Sequence, residues 1–550
     1  MAGISDKVQH EPVSIRDTVE SFSMAIVVAL VLRAFVVEAF VIPTGSMAPR
    51  LMGEHWDLVC PACGYDYAYG GPRVSPDQAS QLNRAQRYIP HGARCPNCRK
   101  PFSDTKEFLS GGDRVLVLKY LYRFRPPQPF DVVVFRNPQN NRENYIKRLI
   151  GLPGETIEIV HGDIFVSPTR DAPRQIRRKP PIAQEAMWQV VFDNDYQVDP
   201  DYSRSVRSPR WVAAGGECWR TDAFRRRFAY TGGPAAGELV FEAEADAFLP
   251  HYGYNSLDGE SIVNPQIDVC TDLKLSVEFM PADAHATVTL ALSSFDDRFR
   301  GEVAADGTAK LLYRKHPGPE DRWETWGQAK LAPLQIGRGY EVALMNADFS
   351  VKLAVDGKVV LEVTDGYPQS YQSLKDRLRR AGDSPIPLPH VTIAAAGGPC
   401  EMRHLRLMQD VYYTSQPLAS LPHGPLGDYA RDLSHRRLLS LVDRLAGWGT
   451  MDHPIELARY EDNPDLDEFF VLGDNSPQSL DSRGWTWAAP TLRLYEGDRA
   501  GGRPLYQLGT VPRYNLIGKA LIVYWPGGFR LPGLPGLPIV PNFGKMRFVR

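Results

Sequence analysis

Phe40-Val-Ile-Pro-Thr-Gly-Ser-Met-Ala-Pro-Arg-Leu51 follows directly on an apolar run and sets two hydroxyl residues on either side of a glycine, just after a proline. Pro43 and Gly45 bend the chain here, so Ser46 is presented rather than packed, and Thr44 can turn a second hydroxyl toward the same point. By itself a Pro-Thr-Gly-Ser run is most often only a turn. Three later segments supply what a serine nucleophile lacks. Gly112-Asp-Arg-Val-Leu-Val-Leu-Lys119 reads as a turn into a strand of alternating branched residues. Asn144-Tyr-Ile-Lys-Arg-Leu-Ile-Gly-Leu-Pro-Gly-Glu155 places a lone lysine, Lys147, in an otherwise apolar strand. Phe469-Phe-Val-Leu-Gly-Asp-Asn-Ser-Pro-Gln-Ser-Leu-Asp-Ser-Arg-Gly-Trp485 is a dense polar loop after a buried strand.

In this order and spacing the four segments resemble the type I signal peptidases, membrane-bound serine proteases that remove secretory signal peptides. The resemblance implies Ser46 as nucleophile and Lys147 as general base. It further implies an oxyanion hole from the Thr44 hydroxyl and the Ser46 amide, with Ser479 orienting Lys147. Asp481 and Arg483 would form a supporting ion pair in the loop that also carries Asp474. Ile42, Met47, Leu51, Tyr145 and Ile146 match the residues of shallow pockets for small apolar side chains, so alanine is expected at −1 and −3 of the substrate. Thr44 stands where the family often has serine. Ser476 stands where an arginine is common, and no role is assigned to it.

A lysine base must be uncharged, and an ordinary lysine with a pKa of about 10.4 is neutral only a few times in ten thousand at pH 7. Lowering that pKa by roughly three units costs about 4 kcal/mol, which desolvation among apolar neighbours can impose. Tyr145, Ile146, Leu149 and Ile150 offer such surroundings. None of the 12 histidines lies in the four segments, which disfavours a Ser-His-Asp triad.

A chain of 550 residues exceeds one ordinary core. A formal net charge of −2 gives no reason to expect nucleic acid binding. Glycine and proline, 46 each, mark a loop-rich and mainly β chain. The expected order is a cytoplasmic tail (1–20), a transmembrane helix (21–42) and a catalytic body of the signal-peptidase β-fold in three parts (43–57, 103–182 and 468–530). A zinc-ribbon-like insertion (58–102) and a β-sandwich insertion of jelly-roll type (183–414) interrupt that body. A return segment (415–467) with a short helix over Tyr429–Leu445 leads back, and a Gly/Pro-rich tail (531–550) ends the chain. The span 21–42 is just long enough for a bilayer core, with an amphipathic or buried helix as the competing reading. Its orientation, with the N-terminus inside and the body outside the cytoplasmic membrane, rests on the resemblance.

Cys60-Pro-Ala-Cys63 and Cys95-Pro-Asn-Cys98 form two matched knuckles that can complete a four-thiolate shell around a structural Zn²⁺. A pair of disulfides is the competing reading. Catalysis needs no cofactor by resemblance. Cys218, Cys270 and Cys400 are expected as buried free thiols. In the large insertion, Val351 to Val363 alternates around an Asp-Gly turn and reads as a hairpin. Trp188, Trp219, Trp323 and Trp326 either pack its core or line a sugar site. The insertion is expected to be an accessory module, dispensable for the chemical step and used toward an envelope glycan or a partner protein. Signal peptides of preproteins and membrane lipid complete the expected partners. Two other classes compete with this reading. A self-cleaving LexA-like regulator lacks its DNA-binding domain here. A catalytically idle, membrane-anchored binding protein acting through the sandwich need not keep Thr44, Ser46, Lys147 and Ser479 together.

Overall fold

A computed structural model of the chain describes residues 15–31, 36–70, 93–101, 109–198, 208–214, 218–233, 236–250, 253–255, 268–315, 322–381, 385–414, 447–451, 453–485, 488–489, 492, 506–527 and 542–549. Strands dominate throughout. The first sheet runs in the order Val37–Val41, Arg114–Leu118, Leu516–Trp525, Val132–Arg136, Asn144–Gly151, Glu468–Leu472, Val511–Pro512, and Arg547–Phe548 pairs with Leu516–Trp525. Segments far apart in sequence therefore share one sheet. Val132–Arg136 is buried on both faces until its last residue, which is why it reads as an unbroken apolar run. Thr156–Val160 and Asp163–Ser167 form a second, smaller sheet with Gln175–Ile176 and Ile455–Glu456.

The N-terminal segment departs from expectation. The helix spans Ile15–Val31, 17 residues, and residues 37–41 form a strand paired antiparallel with Arg114–Leu118. Among the described residues no helix is long and apolar enough to cross a membrane. An apolar run does not distinguish a helix from a buried strand. Here Val37-Glu-Ala-Phe-Val41 is short and rich in β-formers, and a waiting sheet edge takes it up. The helix that remains exposes Phe22 and Met24, each 68 % accessible.

The large insertion folds as two packed sheets. One orders Trp219–Thr221, Phe228–Tyr230, Cys400–Gln409, Leu273–Pro281, Tyr340–Ala347, Ser350–Val355, Lys358–Val363, with Gln189–Asp193 also on Cys400–Gln409. The other orders Arg210–Ala214, Gly237–Glu242, Val391–Ala396, Thr287–Ser294, Asp297–Ala304, Thr308–Lys315, Glu324–Lys330. Their inner faces meet in one core that includes Leu275, Val277, Phe279, Leu290, Phe299 and Leu344; each such side chain stabilises by roughly 1.5–3 kcal/mol on burial. The hairpin over 351–363 forms, and its turn residues Asp356 and Gly357 have φ of 47° and 73°, as a tight primed turn requires. Trp188 and Trp219 are buried, and Trp326 packs against the core. Trp323 stacks beneath Arg300 and Arg314. Cys270 and Cys400 are buried free thiols, whereas the free thiol Cys218 is half-buried. The expected helix over Tyr429–Leu445 lies outside the described residues.

Candidate active site

The Ser46 segment is stapled to the first sheet at both ends. Ile42 N–H donates to the Asp113 carbonyl at 2.8 Å, Asp113 N–H donates to the Met52 carbonyl at 2.8 Å, and Met52 N–H donates to Asp113 Oδ2 at 3.1 Å. Arg547, from the C-terminal strand, also binds Asp113 Oδ2 at 2.8 Å. Between these staples Gly45 and Ala48 close a turn, and Ser46 stands at its apex with 7 % of its surface accessible.

Lys147 reaches Ser46 from the Asn144–Gly151 strand, with Nζ 2.5 Å from Ser46 Oγ. Alternation along that strand sends Lys147 to the face that carries the Ser46 turn. Burial lowers its pKa to about 8, partly opposed by the nearby carboxylates of Asp481 and Asp474. Among the described residues neither carboxylate forms an ion pair with Lys147. The Tyr145 ring lies 5.4 Å from the ammonium position. Thr44 Oγ1 lies 3.5 Å from Ser46 Oγ, so both hydroxyls share one corner.

The polar loop after Glu468–Leu472 packs beneath this pair. Asp481 and Arg483 form an ion pair at 2.8 Å, and Asp481 Oδ2 accepts from Gly473 N–H at 3.0 Å. Arg483 extends the network to the Ser476 hydroxyl at 2.7 Å and the Thr414 carbonyl at 2.7 Å. Ser476, given no role from sequence, thus anchors the loop to the exit of the insertion. Asp474 binds Arg148 with both oxygens, at 2.7 and 2.6 Å, and both side chains are fully buried. Arg148 was missed in the sequence because it reads as one half of a basic pair. Its place in a strand next to an inward lysine, with an acidic residue in the facing loop, was the available signal.

Ser479 is buried, and among the described residues its hydroxyl has no hydrogen-bond partner. It sits against Gly473, where an added Cβ would meet Ser479 Oγ at 2.1 Å and the Ser46 carbonyl at 2.4 Å. Ser479 therefore lies beside the dyad without a bond to Lys147. Ile42, Met47 and Leu51 are at most 2 % accessible and share a cluster with Val115, Val132 and Val523, against which Ile146 packs. Tyr145 joins a different cluster, around Phe135 and Trp485. Met47 and Leu51, with Arg50, Arg148, Asp474 and Arg547, line a cavity of about 410 Å³.

The four paired cysteines converge. Cys60 and Cys98 sulfurs lie 3.5 Å apart, Cys63 and Cys95 sulfurs 3.6 Å apart, and all four fall within 4.8 Å of one another. None is in a disulfide. Tetrahedral bonds of about 2.3 Å place sulfurs about 3.8 Å apart, so this donor set fits a metal and leaves no open position on it.

A family model described as signal peptidase, peptidase S26, matches residues 97–195 and 454–525. Over these two stretches the chain is similar to the peptidase S26 family. The match takes in Lys147, Asp474, Ser479, Asp481 and Arg483, while Ser46 lies before it. The signal peptidase I of Pseudomonas aeruginosa is 32 % identical over 154 residues, 28 % of this chain and 38 % of that protein. The signal peptidase I of Rickettsia bellii is 28 % identical over 148 residues, 27 % of this chain and 38 % of that protein. The chain thus spans well under half the length of these curated relatives. A carbohydrate binding module from Bacillus subtilis is similar over 36 % of this chain and 94 % of its own, at 10 % identity and a TM-score of 0.22. A likeness that slight carries no argument.

Proposed function

We propose that the chain is a membrane-anchored serine endopeptidase that removes N-terminal signal peptides from preproteins with a Ser46/Lys147 dyad. The observation that carries this reading is the 2.5 Å approach of Lys147 Nζ to Ser46 Oγ, with Lys147 inside a stretch that matches the S26 family. With a pKa of about 8, about one lysine in ten is neutral at pH 7. The neutral amine accepts the Ser46 proton as Oγ attacks the scissile carbonyl, and the resulting ammonium returns it to the leaving amine. The Thr44 hydroxyl and Ser46 N–H meet the oxyanion. Water then repeats the sequence on the acyl-enzyme. Small residues at −1 and −3 fit the apolar wall formed by Met47, Leu51 and Ile146.

The anchor is the Ile15–Val31 helix, whose exposed Phe22, Met24, Val27 and Leu30 suit a lipid environment better than water. The apolar part of the described helix, residues 21–31, rises about 17 Å, well short of a hydrocarbon core of about 30 Å. The four thiolates hold a structural zinc. The reading is tested by incubating a model preprotein in detergent with the full chain and with Ser46→Ala. Cleavage at the signal-peptide boundary by the first and none by the second is expected. Equal processing by both would sink the assignment.

A further inference from the structure

The β-sandwich insertion reaches the nucleophile turn through Tyr254 and Asn255, both at most 4 % accessible. The Tyr254 ring lies between two glycine backbones: a Cβ on Gly45 or on Gly70 would fall 2.0 Å from its Cε1. Its hydroxyl donates to the Glu54 carbonyl at 3.0 Å, and its carbonyl accepts from Gly70 N–H at 2.9 Å. One side chain therefore wedges the sandwich against both the nucleophile turn and the cysteine module. Asn255 exchanges two hydrogen bonds with Asn475, each 2.8 Å. Asn475, fully buried, turns its second amide hydrogen to the Gly45 carbonyl at 2.9 Å and its backbone N–H to the Ser46 carbonyl at 3.0 Å.

The Gly45 carbonyl and the Ser46 N–H belong to one peptide group. Because that group is planar, whatever fixes the direction of the carbonyl fixes the N–H on the opposite side. Asn475 Nδ2 and Ala48 N–H both hold this carbonyl. An amide side chain can flip by half a turn with little steric change, and a flipped Asn475 would present its oxygen to the Gly45 carbonyl. The reciprocal pair with Asn255 forbids the flip, since both amides would have to turn together.

Resting on the signal peptidase reading above, we infer that Asn255 is a positioning residue for the oxyanion hole: through Asn475 it holds the Gly45–Ser46 peptide with its N–H toward the substrate carbonyl. The sandwich, expected from sequence to stand apart from the chemistry, then completes the catalytic geometry.

The test measures kcat and KM on a model preprotein for the full chain, Asn255→Ala, Asn475→Ala and the double variant, each normalised to reactive Ser46 titrated with an active-site reagent. An oxyanion donor acts at the tetrahedral stage and not in ground-state binding. Asn255→Ala is therefore expected to lower kcat by about tenfold or more with KM within about twofold. The double variant should be no slower than Asn475→Ala, because the two side chains act as one unit. Asn255→Gln keeps both the donor and the acceptor of the amide, and should restore at least part of kcat; it also serves if the alanine variant does not fold. Loss of titratable sites with normal kcat per site, additive losses in the double variant, or Asn255→Gln no better than Asn255→Ala would each overturn the inference. A wild-type chain that leaves the preprotein intact would overturn the parent reading as well, so the two failures are distinguishable.

Discussion

Lys147 Nζ meets Ser46 Oγ at 2.5 Å across 101 residues of chain, at a point where the lysine is only 3 % accessible. Burial, opposed by two carboxylates further off, leaves its pKa at about 8. Activity in kcat/KM should rise with pH through about 8 and level off above it. A profile flat from pH 6 to 9 would exclude Lys147 as the titrating base. The same shift has a stability consequence. The unfolded lysine, titrating near 10.5, holds its proton where the folded one has lost it, so folding stability should rise with pH between about 8 and 10.5. Below pH 8 the full penalty of on the order of 3 kcal/mol applies. Lys147→Met should accordingly be inactive yet at least as stable as wild type at pH 7, measured by denaturant unfolding.

Thr44 Oγ1, 3.5 Å from Ser46 Oγ, is placed to donate to the oxyanion. Thr44→Ala should reduce kcat by on the order of 10²–10³, and Thr44→Ser, which keeps the hydroxyl, should stay close to wild type. If alanine and serine behave alike, the hydroxyl has no part in the reaction.

The Arg148–Asp474 pair is fully buried on both sides. Asp474→Ala leaves a guanidinium without its partner and should cost about 3–5 kcal/mol of stability. Arg148→Met combined with Asp474→Ala should recover most of that loss, because an apolar replacement of both partners carries no orphan charge. Chemical denaturation of the two single variants and the double variant decides this. Additive losses would mean that the pair is not the unit it looks to be.

The four-thiolate cluster predicts one zinc per chain. Chelation should first release the module that packs around it, where Trp56 stacks on Tyr69 with centroids 5.8 Å apart. A change in tryptophan emission absent from Trp56→Phe reports that step. Thiol titration after denaturation under anaerobic, reductant-free conditions should find the four cysteines reactive; if they are oxidised to disulfides, the metal reading fails.

The approach of Lys147 to Ser46 was foreseeable from the order of the four segments and the family they resemble; a hydroxyl at a bend alone reads as a turn. The cysteine cluster was legible from its two matched knuckles, and the hairpin over 351–363 from its Asp-Gly turn. The Ile15–Val31 helix and the Val37–Val41 strand were merged because both are apolar, and only the partner strand Arg114–Leu118 separates them. Ser476 and Asn255 could not be read from sequence, and Arg148 only from its place beside an inward lysine. Each owes its role to a partner supplied by another segment: Arg483, Asn475 and Asp474. Nothing beside Asn255 in the chain marks it.

Gly473 decides how closely the polar loop approaches the nucleophile. A Cβ there would lie 2.1 Å from Ser479 Oγ and 2.4 Å from the Ser46 carbonyl. The first contact is a side chain that can be removed, whereas the second is backbone held by Asn475 N–H. Gly473→Ala should therefore push the Ser46 turn away from Lys147, lowering kcat strongly at a stability cost of about 1–3 kcal/mol, the usual range for overpacking. Gly473→Ala combined with Ser479→Gly relieves only the first contact. It should recover stability in part while turnover stays low. Full recovery of turnover in that double variant would show that the Ser479 side chain, and not the approach to the Ser46 carbonyl, is what Gly473 accommodates.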